Sequence, residues 1–350
     1  MILHSKPTID QNDIDSVIRV LASGHLEDGA DVSNLEHLFC SRFHRKYAVA
    51  VSSGFASIFL SLKALGISLG DEVIIPSYTC PALLNPIRIL GAKPILVDVD
   101  KDSFNLSPEG AARVITSRTK AIIVPHTFGF PASIDIIKQL GIPIVEDCAQ
   151  ALGGSYQDKQ LGSFGDLAVF SFYSTKMIAS GDGGMVITDN EDYYRTMLDF
   201  RYYGHRQGCN TIAYNFHLTN LPAALAYSQL GKLEVFLRRR KELAKIYDLL
   251  LANVSEISIA FENKESSCYY RYPIRVSDAS SVILKMSEHN ISCGHGVLDG
   301  MHQLLGIDKD RFPNTEKNIK TIVSLPIYPL LTDSEAYQVV NTLKQVLYNR

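Results

Sequence analysis

Seven short apolar runs recur through the first 188 residues: YAVAV (47–51), EVIIP (72–76), PILVDVD (94–100), AIIVP (121–125), PIVED (143–147), AVFSF (168–172) and MVIT (185–188). They are continuous rather than alternating, as expected for strands covered on both faces. Helix-length segments separate the early ones: GFASIFLSLKALG (54–66), CPALLNPIRILG (80–91), SPEGAARVITSRT (107–119) and PASIDIIKQLG (131–141). Three of these four segments end in glycine, a helix stop signal. Such strand–helix alternation predicts an α/β fold, a mostly parallel sheet between two helical layers.

After about residue 190 the rhythm changes. Helical patterns run through DNEDYYRTMLDFRYYG (189–204) and TNLPAALAYSQLGKLEVFLRRRKELAKIYDLLLAN (219–253). The last hundred or so residues mix strand-like runs such as YYRYPIRV (269–276) with helices such as DSEAYQVVNTLKQVL (333–347). The expected organisation is a large α/β domain over residues 1–230, with an N-terminal helical segment. A smaller α+β domain follows over residues 231–350, and one long helix joins the two. A chain of 350 residues is long enough for both.

The totals exclude several function classes. A formal charge of −3 in a chain 46% hydrophobic and 20% charged provides no concentrated basic face for nucleic acid or an anionic membrane. The densest basic run, RRRK (238–241), lies in a helical pattern and reads as a solvated helix face. Cys40, Cys80, Cys148, Cys209, Cys268 and Cys293 form no CxxC pair, so neither a zinc site nor a disulfide framework is indicated. The N-terminus lacks the apolar core of a secretory signal, and no apolar run is long enough to span a bilayer. The cytoplasm is the expected location.

In an open parallel sheet, ligands bind at the carboxyl ends of the strands. After the first run, SSGFAS (52–57) is a small turn opening a helix. It reads either as an ordinary strand–helix connection or as a phosphate site, where free N–H groups and the helix dipole meet an anion. In IVEDCAQALGG (144–154), Asp147 ends a strand and is either a helix cap or a buried carboxylate facing a cationic ring nitrogen. Lys176 sits between LAVFSF and GGMVIT, with Gly181, Gly183 and Gly184 close behind. A lysine bracketed by buried strands is placed for partial desolvation, which favours a nucleophilic amine over a surface cation. A phosphate cradle, an aspartate for a pyridinium and an imine-forming lysine together specify pyridoxal phosphate.

The segment VEDCAQALGGSYQDKQLGSFGDLAVFSFYSTKMIASGDGGMVITDN (145–190) resembles the DegT/DnrJ/EryC1/StrS family of pyridoxal-phosphate-dependent sugar aminotransferases, within fold type I. The resemblance extends to residues 6–39, 91–110, 214–234 and 324–332, so it covers nearly the whole chain. It implies that Lys176 forms the internal aldimine and shuttles the substrate proton, and that Asp147 keeps the pyridine nitrogen protonated. Gln150 would sit beside the phenolic oxygen. Ser171 and the backbone of Gly54, Phe55 and Ala56 would hold the phosphate. Asn215 matches an asparagine that reaches the phosphate of the neighbouring subunit, which implies a homodimer with shared active sites.

Four positions depart from the family pattern: Cys80 where a ring-stacking aromatic is common, Phe55 for threonine, His217 for a basic residue, and Asp182 for glutamate. At the first, Tyr78 or another ring substitutes, or the stacking face is thinner. Relatives that dehydrate sugars carry histidine in place of the lysine, so Lys176 argues for transamination. The implied reaction moves an amino group from L-glutamate to a nucleotide-linked keto-sugar. Two readings compete: a binding or regulatory protein that keeps the fold without turnover, and a pyridoxal phosphate enzyme for a free amino acid or cyclitol.

Overall fold

In a computed structural model describing residues 1–101, 103–203, 212–259 and 264–348, the apolar runs become strands. They are β1 Tyr47–Val51, β2 Glu72–Pro76, β3 Lys93–Val97, β4 Thr119–Pro125 and β5 Ile144–Asp147. A two-strand hairpin follows, β6 Ser155–Tyr156 with β7 Lys159–Gln160, and then β8 Leu167–Ser171 and β9 Gly184–Thr188. The large sheet has the order β1-β9-β8-β5-β4-β2-β3. All its strands run the same way except β9, which lies antiparallel between β1 and β8.

Side chains alternate across this sheet with period two, and each parity finds its own helical layer. Val49, Val51, Val145, Leu167 and Val169 pack under the helices Gly54–Ala64 and Pro81–Ile89. Ala48, Ala50, Ala168 and Phe170 pack on the opposite face with the helices Ala30–Phe43 and Asn220–Gly231. Both faces are therefore buried, which is why the runs are continuously apolar. The three glycines read as helix stops, Gly66, Gly91 and Gly141, all take left-handed φ angles between 70° and 76°.

The C-terminal region forms a second sheet of β10 Tyr272–Arg275, β11 Gly294–His295 and β12 Ile322–Leu325, all antiparallel in the order β10-β12-β11. The helices Ala279–Glu288 and Asp333–Tyr348 share its core. The chain's first residues reach it too: the Ile2 N–H donates to the Asn290 carbonyl at 2.8 Å, and the Ser292 N–H donates to the Ile2 carbonyl at 2.8 Å.

Two helical expectations need correction. The joining helix is not continuous: it breaks between Asn220–Gly231 and Leu233–Leu251 at Lys232. Gly231, a poor helix former, stands just before the break, and Lys232 Nζ pairs with Asp13 at 2.5 Å and Asp10 at 2.8 Å. Nor is the RRRK run wholly solvated. Arg240 is 3% exposed and donates through Nη1 to the carbonyls of Tyr269 (3.1 Å), Tyr270 (3.3 Å) and Ile327 (2.9 Å). Burial pulls its pKa down to about 10. Leu233 and Leu237 of the second helix belong to the large sheet's core, while Leu243, Tyr247 and Leu251 belong to the C-terminal core.

Cys40, Cys80, Cys148, Cys268 and Cys293 are free thiols, and Cys209 lies outside the described residues. No helix among the described residues is long and apolar enough to cross a membrane.

Candidate active site

Strand parity brings the site together. Asp147 shares the parity of Val145, and Ser171 that of Leu167 and Val169, so both face the side covered by the helix Gly54–Ala64. β9 begins at Gly184, which is registered against Val51 at the end of β1 and Ser171 at the end of β8. The carboxyl ends of β1, β5 and β8 thus converge on one pocket of about 650 Å³. Its lining includes Gly54, Phe55, Asp147, Gln150, Ser171 and Lys176.

The helix Gly54–Ala64 opens under an N-cap at Ser53, whose Oγ accepts the Ala56 N–H at 3.1 Å. The first-turn N–H groups of Gly54 and Phe55 have no acceptor within the helix, and both residues line the pocket. A Cβ on Gly54 would lie 2.8 Å from the Ser171 Cβ, so only glycine lets the turn approach that serine. A Cβ on Gly184 would lie 2.6 Å from the Ser53 carbonyl oxygen. The expectation for Ala56 is corrected here: its amide is taken by the cap, its side chain is fully buried, and it does not line the pocket.

Lys176 lies on the loop between β8 and β9. Backbone bonds close that loop, Phe172 N–H to the Gly183 carbonyl at 2.8 Å and Ser180 N–H to the Phe172 carbonyl at 2.9 Å. Met177, Ile178 and Ala179 are buried beneath it. At the loop's root, Phe172 and Phe170 pack against Phe39 with ring centroids 5.7 and 5.2 Å apart, pairs worth about 0.5–1.5 kcal/mol each beyond their buried area. The lysine is half-buried, and its Nζ stands 5.2 Å from the centroid of the Tyr270 ring.

Asp147 is 6% exposed, and its Oδ1 accepts the Ala149 N–H at 2.9 Å. Burial raises its pKa above the ordinary aspartate value; the Ala149 bond and the charge of Lys176 oppose this without cancelling it. An ionised carboxylate here calls for a cation. The Gln150 Oε1 accepts the Phe128 N–H at 2.8 Å, which leaves the amide nitrogen to donate into the pocket.

Sequence reasoning missed two neighbours. Glu146 has the opposite parity, is fully buried, and accepts from the N–H groups of Gly162 (2.5 Å), Phe164 (2.9 Å) and Gly165 (2.9 Å). His126 Nδ1 accepts the Ala132 N–H at 3.0 Å, so its Nε2 carries the proton and donates to Glu146 at 3.1 Å. Burial alone would raise the Glu146 pKa; the His126 bond and these N–H groups outweigh it and hold the carboxyl below the usual range. Glu146, His126 and Cys148 lie close enough to suggest a metal cluster. With the histidine and carboxylate already satisfied, the trio is a structural brace for the strand ends. A charged residue inside VEDC, followed by the amides of GSFG (162–165), was the available signal.

At the divergent positions, Cys80 is exposed at the pocket and Asp182 lines its edge. Tyr78 does not substitute for the missing ring. It is fully buried, edge-on to Phe128 with centroids 6.1 Å apart, and behind Gly296, where a Cβ would meet its hydroxyl at 2.2 Å. Among the described residues, the rings that do line the pocket are Phe55, His126 and Tyr173. Asn215 is exposed and does not line its own chain's pocket, and His217 stands edge-on to Tyr202 with centroids 4.6 Å apart. Asn215 pairs with Tyr202, and its neighbour Phe216 accepts the Ser52 N–H at 2.7 Å, so the segment runs beside the Ser52–Gly54 turn.

These residues fit pyridoxal phosphate. The cradle at Gly54 would be closed by a Cβ, Asp147 is a desolvated carboxylate, and a half-buried amine completes the set. Comparison with known proteins agrees. DesV of S. venezuelae, solved in complex with a ketimine intermediate, is 29% identical over 97% of this chain and 98% of its own, with TM-score 0.92. Spr1654 of Streptococcus pneumoniae, solved in both PMP and PLP forms, is 26% identical; its PMP form covers 99% of each chain with TM-score 0.93. The aminotransferase TlmJ of Streptoalloteichus hindustanus is 27% identical over 100% of this chain and 99% of its own, with TM-score 0.94. The DegT/DnrJ/EryC1/StrS aminotransferase family model matches residues 7–344. A family match over nearly the whole length, with a pocket suited to its cofactor, shows that this chain belongs to that family of pyridoxal-phosphate-dependent sugar aminotransferases.

Proposed function

We propose that this protein transfers an amino group from L-glutamate to a nucleotide-linked keto-sugar, giving an amino sugar for surface polysaccharide or a secondary metabolite. The observation that carries the reading is Lys176 and Asp147 sharing one pocket with the open N-terminus of the helix Gly54–Ala64. The Gly54 and Phe55 amides and the Ser171 hydroxyl would hold the phosphate. Asp147 would keep the ring nitrogen protonated, and the Gln150 amide would donate to the phenolic oxygen. Bound pyridoxal phosphate supplies the electron-withdrawing ring and carries the amino group between substrates. Lys176 anchors the cofactor, and its Nζ, once free, moves the proton at the substrate's amino-bearing carbon. A cavity of about 650 Å³ is within the range that encloses a whole small ligand, which leaves room for a sugar beside the cofactor.

A panel of nucleotide keto-sugars incubated with glutamate and read by mass spectrometry tests the substrate class. The expected product is a nucleotide amino-sugar from at least one member. Turnover of a free keto-cyclitol or keto-acid, with every nucleotide sugar inert, would count against the proposal.

Asn215 is proposed to reach the phosphate site of a second copy, since it is exposed beside the Ser52–Gly54 turn and absent from its own pocket. Lys176→Ala and Asn215→Ala proteins, each impaired alone, should then regain activity when they exchange subunits. One interface of the mixed dimer carries both intact residues. No recovery after verified exchange would remove the shared site.

A further inference from the structure

Tyr270 comes from the segment leading into β10, far from the pocket in sequence, yet its ring lies against Lys176. It is 5% exposed. Its hydroxyl lies 3.3 Å from Thr175 Oγ1 and accepts from Arg271 Nη2 at 3.2 Å. The Arg271 guanidinium carbon stands 4.5 Å from the same ring's centroid. The backbone is fixed as firmly. Cys268 N–H donates to the Gly129 carbonyl at 3.3 Å and Arg271 N–H to that of Phe128 at 3.2 Å, while buried Arg240 holds the Tyr269 and Tyr270 carbonyls. This clamps the ring to the Phe128–Gly129 corner, whose Phe128 N–H also orients Gln150.

We propose that Tyr270 is a positioning residue for Lys176: its ring face carries the lysine Nζ while that amine is not bonded to the cofactor, and Thr175 and Arg271 stop the ring turning away. An ammonium within about 6 Å of a ring face is attracted to the ring's electron-rich surface. The ring also stands at Arg271, so its negative face offsets repulsion between the two cations. Burial alone would raise the phenol's pKa; the charges of Lys176 and Arg271, with the Thr175 bond, outweigh it and leave it below the ordinary tyrosine value. The other ionisable groups lining the lysine's pocket are Asp147, His126, Asp182, Asp299, Cys80 and Tyr173, which the variants below leave in place.

The proposal rests on Lys176 being the active amine, and its test does not depend on turnover. The full chain, freed of cofactor, is treated at pH 7 with an N-hydroxysuccinimide acetyl ester, which acylates an amine in its uncharged form and not as the ammonium. Acetylation of the Lys176 peptide is timed by mass spectrometry, with the peptide of exposed Lys241 as internal control. Tyr270→Leu should speed Lys176 labelling about five-fold, the equivalent of about 1 kcal/mol of ammonium stabilisation lost. Tyr270→Phe, which keeps the ring, should stay within about two-fold of wild type. An unchanged rate in Tyr270→Leu, or an equal rise in Tyr270→Phe, overturns the proposal. If the leucine variant does not fold, Tyr270→Met supplies the ring-free comparison. A Lys176→Ala protein with normal turnover would instead defeat the functional reading, so the two failures are distinct.

Discussion

Lys176→Ala is expected to lower turnover roughly 10³-fold or more while leaving the fold in place. The loop does not depend on the lysine side chain. Buried Met177, Ile178 and Ala179 anchor it, and the Phe172–Gly183 and Ser180–Phe172 backbone bonds close it. Among the described residues the side chain's aromatic contact is one cation–π approach to Tyr270, worth about 1 kcal/mol, so the melting temperature should move by no more than about 3 °C. The rate loss is chemical: with the amine gone, no other lysine lines the pocket among the described residues. Steady-state rates and thermal melts on the same preparation check this. Residual activity above about a tenth of wild type would show that another group does the work.

Asp147→Asn is the second large effect, and it separates the two roles the sequence left open. The Oδ1 bond to the Ala149 N–H is the capping interaction, and an asparagine carbonyl can keep it. The other oxygen takes no hydrogen bond among the described residues, and an amide there brings no negative charge. Burial already raises the pKa of Asp147, so the cofactor-free Asn variant should be at least as stable as wild type. Turnover should fall on the order of 10²-fold or more, because each pKa unit lost at the ring nitrogen is worth about 1.4 kcal/mol. An Asn variant that turns over at the wild-type rate would falsify the pyridinium role and leave Asp147 as a cap.

Much of this was legible in the sequence because the deciding signals are local. Continuous apolar runs mark strands buried on both faces, and glycine at 66, 91 and 141 marks helix ends whose backbone must turn left-handed. Gly54, Asp147, Ser171 and Lys176 follow or end such runs, so a parallel sheet gathers them at one edge. What stayed hidden depends on partners distant in sequence. Arg240 reads as one of four solvated cations until three carbonyls close around it. Ala56 was placed at the phosphate by the family resemblance alone, which does not register that Ser53 Oγ takes its amide. Tyr78 looked available as a ring but is held in the core behind Gly296. Tyr270 carries no local signal, since its closeness to Lys176 exists only once the C-terminal segment folds back onto the Phe128–Gly129 corner.

Whether pyridoxal phosphate is carried on Lys176 can be read from a covalent trap. The cofactor-loaded protein is reduced with borohydride, which makes permanent whatever bond joins the cofactor to an amine, and is then digested and mapped by mass spectrometry. The expected result is a single phosphopyridoxyl adduct, on the peptide containing Lys176. An adduct on a different lysine, or none after saturation with pyridoxal phosphate, would contradict it.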